Sequence, residues 1–200
     1  MPLHTIVWRD YLAQHGIDSS RLEHHMQGAH NDALVRILFG AHLSGKQVSA
    51  HGAAKEALFR ERLNPLEHLI PGVSSFVERH AAVPKAVGSN AEMANIEHVL
   101  TGAGLAAHFP VVIDGGQVQR PKPQPDIYLK AAERLGMAPA DCIVFEDSPT
   151  GVAAGHAAGM RVVGVNTARL NDFPRVHLVI DDFTSPELPA WLQTQQLGSL

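Results

Sequence analysis

Cys142-Ile143-Val144-Phe145-Glu146-Asp147-Ser148-Pro149-Thr150-Gly151-Val152 is the stretch on which the fold turns. Three of its first four residues are β-branched or aromatic, so the run reads as a short buried strand. It ends on two adjacent carboxylates, and the residues from 150 to 158 then take helical spacing. The same strand-to-helix step recurs on both sides. Residues 85–88 precede a helical stretch at 91–103, and Val111-Val112-Ile113 precedes one at 125–135. Residues 161–165 supply a further strand, and Leu178-Val179-Ile180 is a candidate for one more. Apolar strands separated by helices of about a dozen residues predict a Rossmann-like α/β core, a parallel sheet wound on both faces. The tail, 185–200, is polar and weakly patterned, and no element is expected there.

Before residue 71 the periodicity is helical. The apolar pairs Ile6-Val7 and Tyr11-Leu12 recur at helical spacing, Val7 and Tyr11 standing four apart, and Gly16 follows as a C-cap would. Asp18 or Ser19 can cap a second helix, and Asn31-Asp32 a third that carries Leu34, Ile37 and Leu38. A further amphipathic segment, 53–63, ends near Asn64-Pro65. The expected organisation is an α-helical domain over 1–70 and an α/β domain over 71–200.

Bulk properties narrow the function classes. The 200 residues are 45% hydrophobic and 18% charged, ordinary for a globular chain. A formal net charge of −4 gives no basic field for nucleic acid or an anionic membrane. No apolar run is long enough to span a bilayer, and the single cysteine, Cys142, fits a reducing cytoplasm. The 13 histidines are scattered, without HExxH or cysteine partners at zinc spacing. His24 and His25, as helix neighbours, would point about 100° apart. Hydrogen-bonded or solvated histidines are the better reading.

Ligands of open parallel sheets bind beyond the carboxyl ends of the strands, so the residues after each apolar run matter most. Ser89-Asn90 follows the first and suits a phosphoryl oxygen. Taken alone, a helix cap explains it better. The loop after Ile113 leads to Arg120-Pro121-Lys122-Pro123-Gln124-Pro125-Asp126. Lys122 reads as a solvated loop lysine, or as one held in place by the three prolines around it. Glu146-Asp147 are capping acids, or paired carboxylates whose repulsion a hard cation such as Mg²⁺ would relieve. The order serine, lysine, acidic pair, each at a successive strand end, is more specific than any of its parts.

These residues, with Ala157-Ala158-Gly159-Met160, resemble the later motifs of haloacid dehalogenase (HAD)-type phosphatases, in the branch similar to β-phosphoglucomutase and sugar phosphatases. The helical first third resembles that branch's cap domain, with Pro2-Leu3-His4, Trp8 and Gly16 at its opening and Lys55-Glu56 and Pro71-Gly72-Val73 at its close. The resemblance implies that Ser89, Asn90 and Lys122 bind the transferring phosphoryl group and that Asp147, helped by Glu146, holds Mg²⁺. Lys55 and His4 are implied more weakly, at the cap face and the hinge. The implied activity is hydrolysis of a small phosphorylated metabolite, a sugar phosphate, through an aspartyl-phosphate. The alternatives are a phosphomutase and a non-catalytic phosphate- or metal-binding remnant. Phosphatase is favoured over mutase because Gly28-Ala29-His30-Asn31-Asp32 lacks the arginine that would grip a second phosphate, Arg36 lying further along.

One part of the pattern is missing. The family's nucleophile is the first aspartate of an Asp-x-Asp-Gly motif ending the first strand, and no Asp-x-Asp occurs here. The motif normally ends just before the Pro-Leu-His segment with which this sequence begins. The expectation is a truncated reading that lacks the first core strand and is inactive by itself. Loss of a central strand would leave two unpaired strand edges, with oligomerisation through an open edge as one outcome.

Overall fold

Leu3–Gln14 forms helix α1, which buries Val7, Trp8, Tyr11 and Leu12 on one face and ends at Gly16 in the left-handed conformation (φ 67°). In the computed structural model, residues 3–20, 22, 31–170 and 173–195 are described. The helix expected after Asp18 or Ser19, together with Pro2, His24, His25 and the Gly28-Ala29-His30 segment, lies outside the described residues. The chain divides into two compact units, Met1–Asn64 and Pro65–Leu200.

In the first unit α1 and α2 (Asn31–Phe39) both pack on α3 (Gly45–Arg62). Trp8, Tyr11, Leu12, Leu34, Val35 and Val48 make its core. Helix α3 starts eight residues before the amphipathic segment read from the sequence. Its first two turns offer one buried apolar residue, Val48, so hydrophobic spacing misses them. The signal that marks them is a capping box. Gln47 N–H donates to the Ser44 hydroxyl at 3.4 Å, and Ser44 N–H donates to the Gln47 side chain at 3.0 Å.

Among its described residues the second unit holds five short strands. After α4 (Val73–Arg79), β1 (Ala86–Gly88) leads through α5 (Met93–Gly102) to β2 (Val111–Ile113). Helix α6 (Asp126–Leu135) leads to β3 (Ile143–Glu146), then α7 (Pro149–Ala157), β4 (Arg161–Val165) and β5 (Leu178–Ile180). All the described pairings are parallel, with helices in the crossovers from β1 to β2 and from β3 to β4. They fall into two ladders: β1–β2, with Val87 opposite Val112, and β3–β4–β5, with Val144 opposite Val162 and Gly164 opposite Val179. Among the described residues no strand joins β1 to β3.

Helix α6 ties the ladders together through its buried face. Ile127 and Ala131 pack with Ile113 under the first ladder, while Tyr128 and Ala132 pack with Val144 of the second and with Val152 of α7. Gly88 permits the close approach, because a β-carbon there would lie 2.6 Å from Ile127 Cγ2.

The polar tail contains a helix that the sequence pattern did not predict, α8 (Glu187–Thr194). Pro189 argues against a helix, but it sits in the first turn, where its missing N–H has no intrahelical acceptor to lose. Leu188, Trp191 and Leu192, at three- and four-residue spacing, join the cluster around Val163, Val165 and Ile180.

Candidate active site

Each strand end places its polar residues by a local rule. After β1, Ser89 N–H still reaches the Ile113 carbonyl at 3.0 Å, and the Ser89 hydroxyl accepts from Ala91 N–H at 3.1 Å. The turn is thus closed before α5 begins. Asn90 clamps the loop after β2 through both ends of its amide. Its Nδ2 donates to the Lys122 carbonyl at 3.1 Å, and its Oδ1 accepts from Lys122 N–H at 3.0 Å. Lys122 is therefore held to the Ser89-Asn90 turn by backbone bonds, and its side chain is only 10% exposed.

The Lys122 ammonium forms an ion pair with Glu146 Oε1 at the end of β3, which joins the carboxyl ends of the two ladders. Tyr128, from α6, donates its hydroxyl to the same oxygen, and Lys122 Nζ lies 4.7 Å from the Tyr128 ring centroid. Glu146 Oε2 accepts from the Ser148 hydroxyl at 3.0 Å, and that hydroxyl also accepts from Gly151 N–H at 3.0 Å as the cap of α7. Gly151 cannot carry a side chain here, because a β-carbon would overlap the Glu146 carboxyl.

These contacts set the charge states. Burial pushes the Glu146 carboxyl up, but the charge of Lys122 and the hydrogen bonds from Lys122, Tyr128 and Ser148 outweigh it and hold the group below the usual glutamate range. Burial, and then the Glu146 charge, push the Tyr128 phenol far up, so it stays a donor. Asp147 is an exposed residue whose carboxyl is partly buried. That partial burial and then the Glu146 charge raise it above the usual aspartate range.

Ser89, Asn90, Lys122 and Glu146 thus form one connected group at the strand ends, with Asp147 next in sequence. Lys122, Tyr128 and Ser148 donate to Glu146, and the repulsion between its charge and that of Asp147 is one that a cation would relieve. Two hard oxygen ligands suit Mg²⁺ in kind, so the residues present fit such an ion. They form a pair, and among the described residues no group of three or more His, Cys, Asp or Glu side chains is placed to hold a metal.

Lys55 and His4 meet each other inside the first unit. Lys55 is 1% exposed; its Nζ donates to His4 Nδ1 at 2.9 Å and to Glu56 Oε1 at 2.6 Å. It also lies 5.4 Å from the Trp8 ring centroid, and His4 stacks on Phe59 at 4.1 Å. Burial, and then the Lys55 charge, lower His4, which keeps its Nδ1 free to accept. Other histidines also serve as hydrogen-bonding groups. His80 Nδ1 donates to the Phe76 carbonyl at 2.8 Å, and His177 Nδ1 accepts from Val162 N–H at 3.0 Å.

Tyr128 is the site residue that strand-end reasoning passes over, and Ser148, which follows the acidic pair, is given no role by it. Tyr128 reads as an ordinary apolar position of α6, and no signal in the sequence distinguishes it. Ser148 carries one, since Ser-Pro followed by helical spacing marks an N-cap.

No helix among the described residues is long and apolar enough to cross a membrane. Comparison with known proteins bears on the same residues. The fructose-1-phosphate phosphatase YqaB of Escherichia coli (strain K12) is 30% identical over 167 residues, covering 82% of this chain and 88% of that one. The bifunctional riboflavin kinase/FMN phosphatase of Arabidopsis thaliana is 42% identical over 112 residues, 54% of this chain but 29% of its own length. Of several further relatives the chain spans 50–59% of the length. A crystal structure of a HAD hydrolase, family IA, variant 3 from Entamoeba histolytica superposes with a TM-score of 0.80 at 22% identity, covering 98% of this chain and 93% of that one. The family profile described as haloacid dehalogenase-like hydrolase matches residues 3–159. The chain therefore belongs to the haloacid dehalogenase-like hydrolases, with sugar phosphatases and a β-phosphoglucomutase among its relatives.

Proposed function

We propose that the protein is a phosphohydrolase acting in the cytoplasm on a small phosphate monoester of the sugar-phosphate class. The observation that carries the reading is the connection of Lys122, the Ser89-Asn90 turn and the Glu146-Asp147 pair at the carboxyl ends of two parallel ladders. Phosphoryl transfer is largely positioning plus charge stabilisation, and each residue has a part in that. Ser89 and Asn90 hold phosphoryl oxygens, and Lys122 neutralises their charge. Asp147, with Glu146 beside it, would hold Mg²⁺, which supplies Lewis-acid stabilisation of the phosphoryl oxygens when bound. Relatives whose names include fructose-1-phosphate phosphatase and hexitol phosphatase support this substrate class.

The nucleophile of this reading is an aspartate that forms an aspartyl-phosphate. No Asp-x-Asp occurs in the 200 residues, and among the described residues β1 and β3 each pair with a strand on one side, which is compatible with one more strand between them. Such a strand, ending beside Lys122, would bring the carboxylate to the phosphate site. The test compares the 200-residue chain with the same chain extended at its N-terminus by a strand ending in Asp-x-Asp. A panel of sugar phosphates with Mg²⁺ serves both. Turnover is expected from the extended chain and none from the 200 residues. Mg²⁺-dependent turnover by the 200-residue chain would overturn the missing-nucleophile assignment, and its absence from both would overturn the phosphohydrolase assignment.

A further inference from the structure

We propose that Tyr128 is a positioning residue of this site: its ring carries the Lys122 ammonium while its hydroxyl fixes the Glu146 carboxylate, so one side chain places the phosphate-binding cation and the acidic pair together. The significance for phosphate chemistry rests on the function proposed above; the positioning itself rests on geometry.

Lys122 and Glu146 come from different parts of the sheet. Lys122 is on the loop after β2, and Glu146 ends β3 in the other ladder. Since the described ladders share no backbone bonds, side chains must set the distance between them. Tyr128 is built for that. It is 8% exposed and packs with Val144 of the second ladder and Val152 of α7, while its neighbour Ile127 packs with Ile113 of the first ladder. Its hydroxyl donates to Glu146 Oε1, the oxygen that also takes Lys122, and Ser148 holds the other oxygen. Its ring face lies within cation–π range of Lys122 Nζ.

A buried tyrosine used only for packing would need some acceptor for its hydroxyl, but not this one. Here the two ends of the side chain act on two different functional groups, so their effects separate by substitution. Tyr128→Phe keeps the ring and removes the donor; Tyr128→Leu removes both.

The first measurement needs no metal or substrate. Acylation of Lys122 by an amine-reactive reagent is followed by peptide mass spectrometry in the 200-residue chain, with exposed Lys46 as internal standard. Loss of one hydrogen bond to the Lys122–Glu146 pair predicts Lys122 acylation roughly fivefold faster in Tyr128→Phe, and faster again in Tyr128→Leu. The second measurement is calorimetric titration with Mg²⁺ and, separately, inorganic phosphate. Tyr128→Phe is expected to weaken Mg²⁺ binding severalfold, and Tyr128→Leu to weaken both Mg²⁺ and phosphate binding.

Lys122 acylation equal to the parent's in Tyr128→Phe would overturn the proposal. If Tyr128→Leu fails to fold, Tyr128→Phe decides alone. Faster acylation in a chain that binds neither Mg²⁺ nor phosphate would sink the phosphohydrolase reading and leave the positioning of the pair supported.

Discussion

Replacing Lys122 by methionine is expected to remove about 3 kcal/mol of stability at pH 7, read as a lower urea midpoint with an unchanged denaturant slope. The two side chains of the Lys122–Glu146 pair are 10% and 8% exposed, so the ammonium cannot be replaced by bulk water. Breaking a buried pair from one side costs about 3–5 kcal/mol, because the remaining charge stays buried. Tyr128 and Ser148 still donate to Glu146 in the variant, which places the effect at the lower end. The loss is large beside the few kcal/mol by which most domains exceed unfolding.

The pH dependence identifies the cause. In the parent, Glu146 titrates below its unfolded value, so its contribution is complete above the ordinary glutamate pKa of about 4.3 and is lost as pH falls through the lowered value. Without Lys122, its charge and its hydrogen bond no longer hold the carboxyl down, and burial pushes it up. Ionised Glu146 then destabilises the variant at neutral pH, and acidification through that raised value relieves it. The two proteins are expected to converge in acid and diverge toward pH 7. Equal stability at pH 7 would show that Lys122 is not the counter-charge.

Asp147→Asn is expected to reverse its effect with metal. Asp147 is raised by partial burial and by Glu146, so its ionisation works against the fold at neutral pH, a penalty that grows as pH rises through the raised value. Asparagine removes the charge and keeps the shape. Since the residue is exposed, solvent screening limits the gain to about 0.5 kcal/mol in metal-free buffer. Excess Mg²⁺ stabilises the parent through mass action, by about 2.7 kcal/mol at one hundred times Kd, and does nothing for the variant. Thermal melts with and without Mg²⁺ should therefore rank the two proteins in opposite orders. A parent whose melting temperature ignores Mg²⁺ would remove Asp147 from the metal site.

Much of this architecture is legible in the chain because the second unit repeats one device. Val111-Val112-Ile113 and Cys142-Ile143-Val144-Phe145 are apolar runs bounded by polar turns, and the β2 and β3 found there differ by at most one residue from those runs. Ser89, Lys122 and Glu146-Asp147 are visible as residues following strands, since a parallel sheet puts all its carboxyl ends on one side. What escapes the sequence is long-range side-chain direction. Tyr128 and Ile127 are neighbours on α6, yet they serve different ladders, and linear spacing does not say which.

Charged residues escape for a related reason. Lys55 and Glu56 count as polar positions on an amphipathic segment. The structure buries both, with Lys55 held against His4, Glu56 and the Trp8 ring. A buried ion pair leaves no mark on hydrophobic periodicity, because its partners are recruited from elsewhere in the chain. Pro189 misleads in the opposite direction, since its rule against helices lapses in a first turn.

The division of the sheet into two ladders also dictates how backbone protons leave the molecule. Ser89 N–H bonds to the Ile113 carbonyl and Arg161 N–H to the Cys142 carbonyl, which fixes the phase of β1 and β3. Val87 and Val144 consequently turn their amides toward their own ladders, while Gly88 and Phe145 turn theirs to the side where the described residues supply no strand. Deuterium is expected to enter Gly88 and Phe145 through small local openings, well before it reaches Val87 and Val144, whose release requires the ladders to come apart. Residue-resolved exchange in the native state measures that order. A strand seated between β1 and β3 would slow the first pair to the pace of the second.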